Sequence, residues 1–130
     1  MADRPEDTVV FVVDDDEAVR DSLKILLEIH GMHVEDFGST ADFAENYRPR
    51  PHECLVLDQH LPMVSGLDFL SSDRGTQLKL PVILITGRGD DAIRARARQL
   101  GVAAYLDKPV NDTELLAAIE RAVAGGRPAH

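Results

Sequence analysis

The chain has 130 residues, of which 44% are hydrophobic and 28% are charged, as expected for one globular domain and not for a disordered chain. A formal net charge of −9 argues against direct nucleic-acid binding, because contacts with phosphate require basic residues. The single cysteine, Cys54, excludes an intramolecular disulfide and a cysteine-based zinc site. No apolar run approaches the roughly 18 residues of a membrane span. We therefore expect a cytoplasmic protein without membrane contact.

Five short β-rich segments recur along the chain. They lie at residues 8–13, 33–37, 54–57, 82–85 and 103–106. Three of them contain the continuously apolar runs VVFVV, CLVL and VILI, which are typical of strands buried on both faces of a parallel sheet.

Amphipathic segments between and after these strands predict five helices. The first carries an apolar stripe, formed by Val19, Leu23, Leu26 and Leu27, and we expect Gly31 to end it. The other four are predicted at residues 40–46, 66–72, 91–100 and 112–124. Ser39 and Asn111 are the predicted N-caps of the second and fifth helices.

The β-α order therefore repeats five times without a linker. Alternation of this kind predicts a parallel sheet with helices on both faces, in an α/β domain. We expect this domain to span residues 8–124, with tails at residues 1–7 and 125–130.

Polar residues follow four of the five predicted strands. These are Asp14 and Asp15 after the first, Asp58 after the third, Thr86 after the fourth and Lys108 after the fifth. Because the carboxyl ends of parallel strands meet at one edge of a sheet, we expect these side chains to converge there. Clustered carboxylates raise one another's pKa unless a cation offsets the repulsion, and oxygen ligands of this kind suit Mg²⁺, or Mn²⁺.

The same edge could hold a phosphoryl group. A divalent ion, the Lys108 ammonium and the Thr86 hydroxyl would each face one of its oxygens, and Asp58 could act as the nucleophile that forms an aspartyl phosphate. Asp16 and Glu17, which follow the acidic pair, are expected to serve the start of the first helix instead, where the helix dipole favours negative charge.

The runs VVDDDE, LVLDQHLPMVSG, VILITGRGD and AYLDKPV carry a resemblance that covers residues 8–124. Together they resemble the receiver domain of two-component response regulators, in particular the receivers of nitrogen-fixation and nitrate-type regulators. The resemblance implies a flavodoxin-like (βα)5 three-layer sandwich around a five-stranded parallel sheet in the order 2-1-3-4-5. In the family the peptide bond that corresponds to Lys108–Pro109 is often cis, so the resemblance also implies a cis bond here.

The resemblance implies a role for each residue at the strand ends. Asp58 is similar in position to the phosphoacceptor, and Lys108 to the lysine that binds the phosphoryl group. The implied Mg²⁺ ligands are Asp15 directly, Asp14 mostly through water, Asp58, and the backbone carbonyl of His60. The side chain of His60 departs from the family pattern at a position that affects how water reaches the phosphoryl group.

The resemblance further implies a switch and a partner. Thr86 is similar to the switch hydroxyl and Tyr105 to the switch aromatic: Thr86 moves toward the phosphoryl group and Tyr105 rotates into the vacated space. The implied phosphodonor is a sensor histidine kinase or a phosphotransfer protein. The surface expected to report the switch consists of the fourth predicted helix, the fifth strand and the fifth predicted helix.

That reporting surface contains Arg94, Arg96 and Arg98 on the fourth predicted helix. These arginines are either part of a solvated helix face or contacts for a homodimer. At 100° per residue they point in different directions and form no single patch.

Other functions remain open from the sequence. An Asp-nucleophile phosphatase of the haloacid-dehalogenase type usually requires a second Asp where His60 stands. A phosphorylation-independent interaction module would be favoured by loss of an acidic residue, Asp58 or Lys108, and all are present. We therefore expect a phosphoacceptor signalling domain with slow autodephosphorylation rather than an enzyme. It is either a stand-alone receiver or the receiver part of a longer DNA-binding regulator or hybrid histidine kinase.

Overall fold

The computed structural model describes residues 7–87 and 89–125, and these form a five-stranded parallel sheet. The strands are β1 (Val9–Val13), β2 (His33–Phe37), β3 (Glu53–Asp58), β4 (Val82–Thr86) and β5 (Ala104–Asp107). Their order is β2-β1-β3-β4-β5, and every neighbouring pair is parallel. The predicted fold class and strand order are therefore confirmed, and each strand lies within one residue of its predicted bounds.

Within the described part of the chain, six helices pack around this sheet. They are α1 (Glu17–Ile29), α2 (Thr40–Asn46), α3 (Gly66–Ser71), α4 (Asp73–Thr76), α5 (Asp91–Gln99) and α6 (Asp112–Gly125). The fourth and fifth predicted helices thus correspond to α5 and α6. The predicted tails lie largely outside the described residues. No helix in residues 7–87 and 89–125 combines the length and the apolar character needed to cross a bilayer.

The prediction of five helices is wrong because it omitted α4. This helix is a single turn whose N-cap is Ser72, and the Ser72 hydroxyl accepts a hydrogen bond from the Gly75 N–H at 3.2 Å. Four residues are too few to display a helical repeat of apolar positions, so periodicity could not reveal it.

The helix boundaries follow from capping residues that the sequence indicated. The Ser39 hydroxyl accepts from the Asp42 N–H at 3.1 Å, and the Asn111 side chain accepts from the Glu114 N–H at 3.0 Å. Gly31 follows His30, the C-cap of α1, and has a φ of 87°, a left-handed conformation that glycine adopts without steric cost. The three predictions are confirmed.

The hydrophobic core has one layer on each face of the sheet. Helices α1 and α6 cover one face, where Leu27, Leu115 and Ile119 are fully buried. Helices α2, α3 and α5 cover the other face, around an edge-to-face contact between Phe11 and Phe43. The central strands β1, β3 and β4 are buried along their whole length, so they fix the positions of the residues at their carboxyl ends.

A buried carboxyl group anchors the irregular segment between α2 and β3. Glu53 is 3% exposed and accepts hydrogen bonds from the Tyr47 hydroxyl at 3.0 and 2.9 Å and from the Arg50 N–H at 3.0 Å. These bonds tie the proline-rich residues 47–52 to the amino end of β3, opposite the edge where the polar residues meet.

We expect Tyr47→Phe to lower the free energy of unfolding by about 1–3 kcal/mol, because it removes a donor to a buried carboxyl group. The matched control is Tyr105→Phe. The Tyr105 hydroxyl is buried, makes no hydrogen bond of standard geometry among the described residues and interacts only weakly with Thr86, so its removal should cost clearly less than removal of the Tyr47 hydroxyl. Urea denaturation of both variants checks this, and equal losses would contradict it.

Candidate functional site

Three carboxylates and one ammonium group meet at the carboxyl edge of the sheet. One oxygen each from Asp14, Asp15 and Asp58 lies within 4.8 Å of the others. Lys108 Nζ lies 3.4 Å from Asp58 Oδ1 and 3.9 Å from Asp14 Oδ2. The structure thus brings together the acidic residues after β1, the last residue of β3 and the lysine after β5. The peptide bond between Lys108 and Pro109 is cis.

The four consecutive acidic residues after β1 have different surroundings. Asp14 is buried and accepts a hydrogen bond from the Asp16 N–H at 2.9 Å, whereas Asp15 is exposed. The Asp16 carboxylate is the N-cap of α1 and accepts from the N–H groups of Ala18 and Val19, and Glu17 lies in the first turn. The helix half of the predicted division is confirmed, since Asp16 and Glu17 begin α1. Asp14 and Asp15 lie near Asp58, and their role as metal ligands stays a prediction.

Two residues that shape this edge were not predicted from the sequence. The Arg20 guanidinium donates to the Asp14 carbonyl at 2.8 Å and to the Asp36 carboxylate at 3.0 Å, which holds the β1–α1 loop against β2. Gly66 lies so close to β3 that an added Cβ would approach the Asp58 carbonyl oxygen to 2.8 Å. Arg20 was missed because its position in the sequence is that of an ordinary polar residue on the solvated face of α1. Gly66 was missed because its close contact with β3 produces no recognisable sequence pattern.

The surroundings of the Asp14 carboxyl group disfavour its charged form. Burial raises its pKa above the ordinary value of 3.8, the Asp16 N–H lowers it, and the neighbouring Asp58 raises it again. Lys108, whose ammonium group lies 3.9 Å away, lowers the pKa of Asp14 but does not offset the effect of burial. A buried carboxylate that is disfavoured in its charged form beside two others suits a hard divalent cation.

We expect Asp14→Asn to stabilise the metal-free protein at neutral pH by roughly 0.5–2 kcal/mol. The raised pKa means that the wild-type folded state loses stability as pH rises from 3.8 through the folded-state value, and asparagine does not titrate. The gain should therefore shrink as pH falls toward 3.8. Thermal unfolding in chelator measures it, with Asp15→Asn at the exposed neighbour as the control. A loss of stability in Asp14→Asn at neutral pH would contradict the prediction.

Thr86 and His60 form a direct hydrogen bond beside the acidic residues. Thr86 is fully buried at the end of β4, and its Oγ1 lies 2.8 Å from His60 Nε2. The His60 N–H donates to Asp58 Oδ1 at 3.1 Å, so one residue contacts both the central carboxylate and the hydroxyl. The sequence pointed to the backbone carbonyl of His60 and did not predict the contact of its side chain with Thr86.

The tip of the Tyr105 ring lies beside Thr86. Its hydroxyl is buried, which raises the pKa of Tyr105, and it lies where a Cβ on Gly89 would stand. That same Cβ would be 3.0 Å from the Thr86 methyl group. The implied rotation of Tyr105 when Thr86 moves toward a phosphoryl group stays a prediction; in this structure the tip of the Tyr105 ring lies against Thr86 and Gly89.

Among the described residues, contacts of two arginines of α5 with other side chains are resolved. The Arg94 guanidinium carbon lies 4.8 Å from the centre of the Tyr105 ring, and Arg96 donates to the carboxylate of Asp68 on α3 at 2.9 Å. Arg98 lines a cavity of about 190 Å³ between α5 and β5. Arg94 lines the same cavity, so these two arginines share one face of α5 while Arg96 lies apart against Asp68. The expectation that all three point in different directions is therefore wrong for Arg94 and Arg98, which are one helical turn apart.

An open groove of about 740 Å³ lies beside the acidic edge, between α1 and the start of α6. Asp14 and Lys108 lie at its polar end, and much of the remaining lining is apolar, including Leu23, Leu26 and Val110. The groove borders two of the residues that face Asp58, so a large molecule could approach this edge.

Comparison with known proteins gives a consistent family. Residues 10–120 match the model of the response regulator receiver domain. The chain is 39% identical over 115 residues to the transcriptional regulatory protein FixJ of Azorhizobium caulinodans, covering 88% of this chain and 54% of that protein. It is 40% identical over 119 residues to nodulation protein W of Bradyrhizobium diazoefficiens, covering 92% of this chain and 52% of that protein.

Solved structures agree with this result. The response regulator StyR superposes with a TM-score of 0.82 at 38% identity, covering 91% of this chain and 60% of StyR. The N-terminal part of FixJ superposes with a TM-score of 0.77 at 34% identity, covering 95% of this chain and 96% of that structure. The chain spans about half the length of the curated relatives it matches.

Proposed function

The chain belongs to the response regulator receiver domain family, and from this we propose that it accepts a phosphoryl group on the carboxylate of Asp58. The observation that carries the proposal is that residues after two other strands, β1 and β5, converge on Asp58 at the end of β3. Lys108 Nζ lies 3.4 Å from its Oδ1, and oxygens of Asp14 and Asp15 lie within 4.8 Å. Asp58 is buried at the end of a central strand, so its carboxylate has a fixed position.

The proposed transfer is a displacement at phosphorus. An oxygen of Asp58 forms a bond with phosphorus, while the bond from phosphorus to the imidazole nitrogen of a donor histidine breaks and the nitrogen keeps the electron pair. Lys108 offsets the negative charge of the transferred group, and the Thr86 hydroxyl is the donor available at the end of β4. Positioning and charge neutralisation are the main requirements of phosphoryl transfer.

The acidic residues fit a divalent cation, and receiver domains bind Mg²⁺ in general. We propose that Asp14, Asp15, Asp58 and the backbone carbonyl of His60 hold Mg²⁺, or Mn²⁺ in its place. When bound, the ion would neutralise negative charge on the phosphoryl oxygens. The raised pKa of Asp14 supports the assignment, because a carboxylate that is costly to leave charged gains most from a cation.

The proposed partner that supplies the phosphoryl group is a sensor histidine kinase or a phosphotransfer protein, as is usual in this family. The open groove beside Asp14 and Lys108 supports access by a protein donor. The proposed output surface is α5, β5 and α6, with homodimerisation through it as one means of output. Within this surface Arg94 on α5 contacts Tyr105 on β5, whose ring tip lies beside Thr86, and this supports a connection between the surface and the acidic edge.

The family assignment favours a signalling domain over an enzyme such as an Asp-nucleophile phosphatase. Relatives such as FixJ are named as transcriptional regulators and are about twice as long as the matched region. That difference supports, as a proposal, the reading of this chain as the receiver part of a longer regulator.

Mass spectrometry tests the proposed function directly. Incubation with Mg²⁺ and acetyl phosphate should add the mass of one phosphoryl group to the wild-type protein and none to Asp58→Asn. Asp73→Asn is a suitable control, because it removes one carboxylate from an exposed helix start away from the acidic edge. Equal labelling of Asp58→Asn and the wild type would reject Asp58 as the acceptor.

A further inference from the structure

The side chain of His60 holds the hydroxyl of Thr86 in the unphosphorylated protein. His60 is exposed at the carboxyl edge, and its Nε2 lies 2.8 Å from Thr86 Oγ1. The backbone of the same residue is fixed by the bond from its N–H to Asp58 at 3.1 Å. The imidazole is therefore placed by the phosphoacceptor itself, and it engages the hydroxyl that a phosphoryl group on Asp58 would attract.

The direction of the Thr86 hydroxyl also decides where its methyl group points. Threonine is branched at Cβ, so its hydroxyl and methyl groups occupy two of a few staggered positions and exchange places only together. With Oγ1 bonded to His60, the methyl group faces the position of Gly89, where the tip of the Tyr105 ring also lies. Thr86 is fully buried, so a different rotamer would change the packing against Tyr105.

We propose that His60 is a positioning residue that stands in for the phosphoryl group: it keeps Thr86 turned toward the acidic edge and thereby keeps Tyr105 inserted before phosphorylation. This inference rests on the proposed function, because it assigns the same hydroxyl to His60 first and to the phosphoryl group afterwards. The surface formed by α5 and β5 would then be partly set in the resting protein. Phosphorylation would reinforce an arrangement that His60 has already selected.

The connection from His60 to the surface is continuous through packed side chains. The Thr86 methyl group and the Tyr105 ring tip both lie near the Cβ position of Gly89. The Arg94 guanidinium carbon lies 4.8 Å from the centre of the Tyr105 ring. Arg94 belongs to α5, whose Arg96 is tied to Asp68 on α3. Loss of the His60 contact should therefore be visible at Tyr105 and in α5, well beyond the loop that contains His60.

Nuclear magnetic resonance of the unphosphorylated full chain tests this proposal. We expect His60→Ala to shift the ring signals of Tyr105 and the amide signals of β5 and α5, because the bond that directs the Thr86 hydroxyl toward the acidic edge is then lost. His60→Gln retains an amide that can bond to the hydroxyl and should restore the wild-type signals in large part. The chain has two tyrosines, so Tyr47→Phe assigns the ring signals without ambiguity.

A double-substitution cycle distinguishes action through Thr86 from a direct effect. Thr86→Val retains the branched shape and lacks the hydroxyl, so it should shift the Tyr105 signals by itself. Adding His60→Ala to Thr86→Val should then produce no further shift at Tyr105. If His60→Ala moves only signals of residues near position 60, or if its effects add fully to those of Thr86→Val, the proposal is wrong.

A final comparison separates this proposal from the proposed function. After treatment with acetyl phosphate and Mg²⁺, the Tyr105 signals of His60→Ala should approach those of the phosphorylated wild type. If neither protein is phosphorylated, the proposed function fails while the result on the resting protein still stands. If both are phosphorylated and their resting Tyr105 signals were already identical, only the role of His60 is rejected.

Discussion

Removal of divalent cations with a chelator is expected to slow phosphorylation of Asp58 by acetyl phosphate at least ~100-fold. A bound divalent ion commonly contributes several kcal/mol to the stabilisation of developing charge, and about 3 kcal/mol corresponds to roughly a hundredfold in rate. The three carboxylates make the effect large here, because without a cation they repel an anionic donor at the point of transfer. The rate of mass increase with and without chelator measures it, and restored Mg²⁺ should restore the rate.

Two neighbouring acidic residues provide a matched pair for the same experiment. Asp15→Asn should lose most of the Mg²⁺ dependence, since Asp15 is one of the three carboxylates that meet at the edge. Asp16→Asn removes the same charge but keeps an N-cap of similar strength for α1, so it should retain Mg²⁺ binding.

A second readout does not depend on phosphorylation. Mg²⁺ at about one hundred times its dissociation constant should add about 2.7 kcal/mol to the stability of the wild type and of Asp16→Asn. The gain should be much smaller for Asp15→Asn. Equal loss of Mg²⁺ stabilisation in both variants would show that the boundary between metal site and helix start has been placed wrongly.

Gly75→Ala is expected to lower the free energy of unfolding by about 3 kcal/mol or more, which would make it among the most damaging single methyl additions in the chain. An added Cβ would collide with the Phe69 carbonyl oxygen and lie 2.6 Å from the Leu70 Cα. Both obstacles are backbone atoms of α3, so no side chain can move aside. Relief requires a shift of α3, whose Phe69 and Leu70 belong to the core.

Two other glycines serve as controls for this substitution. Gly125→Ala, at the end of α6, has no atom within 4 Å of the new Cβ and should be close to neutral. Gly101→Ala also has open space but a φ of +76°, so it should cost roughly 1–2 kcal/mol from backbone strain alone. Urea denaturation of the three variants should therefore rank Gly75→Ala as the most damaging. A Gly75→Ala variant as stable as Gly125→Ala would contradict the packing described for α4.

The elements of the fold were predictable where a repeating pattern was present. The central strands are continuously apolar because helices cover both their faces, and α1 and α6 show their buried stripes at helical spacing. Capping residues such as Ser39 and Asn111 act on their nearest neighbours in sequence, so they were also readable. The single turn α4 has neither the length nor the stripe, and it was missed.

The meeting of Asp14, Asp58 and Lys108 was predictable for a topological reason. In a parallel sheet every strand ends at the same edge, so residues that follow different strands approach one another whatever their separation in sequence. The hydrogen bond from Arg20 to the Asp14 carbonyl oxygen was not predictable, because every residue has a carbonyl oxygen and the sequence does not indicate which one an arginine will contact.

The sequence by itself determined the α/β fold, its strand order through a family resemblance, and the set of polar residues at one edge. These depend on periodicity and on chain order, which are properties of the sequence alone. Only the tertiary structure decided that the His60 imidazole engages Thr86, that the Tyr105 hydroxyl is buried beside Thr86, and that Arg94 lies over the Tyr105 ring. The reason is that side-chain rotamers are selected by contacts between residues distant in sequence, which exist only once the strands and helices have packed.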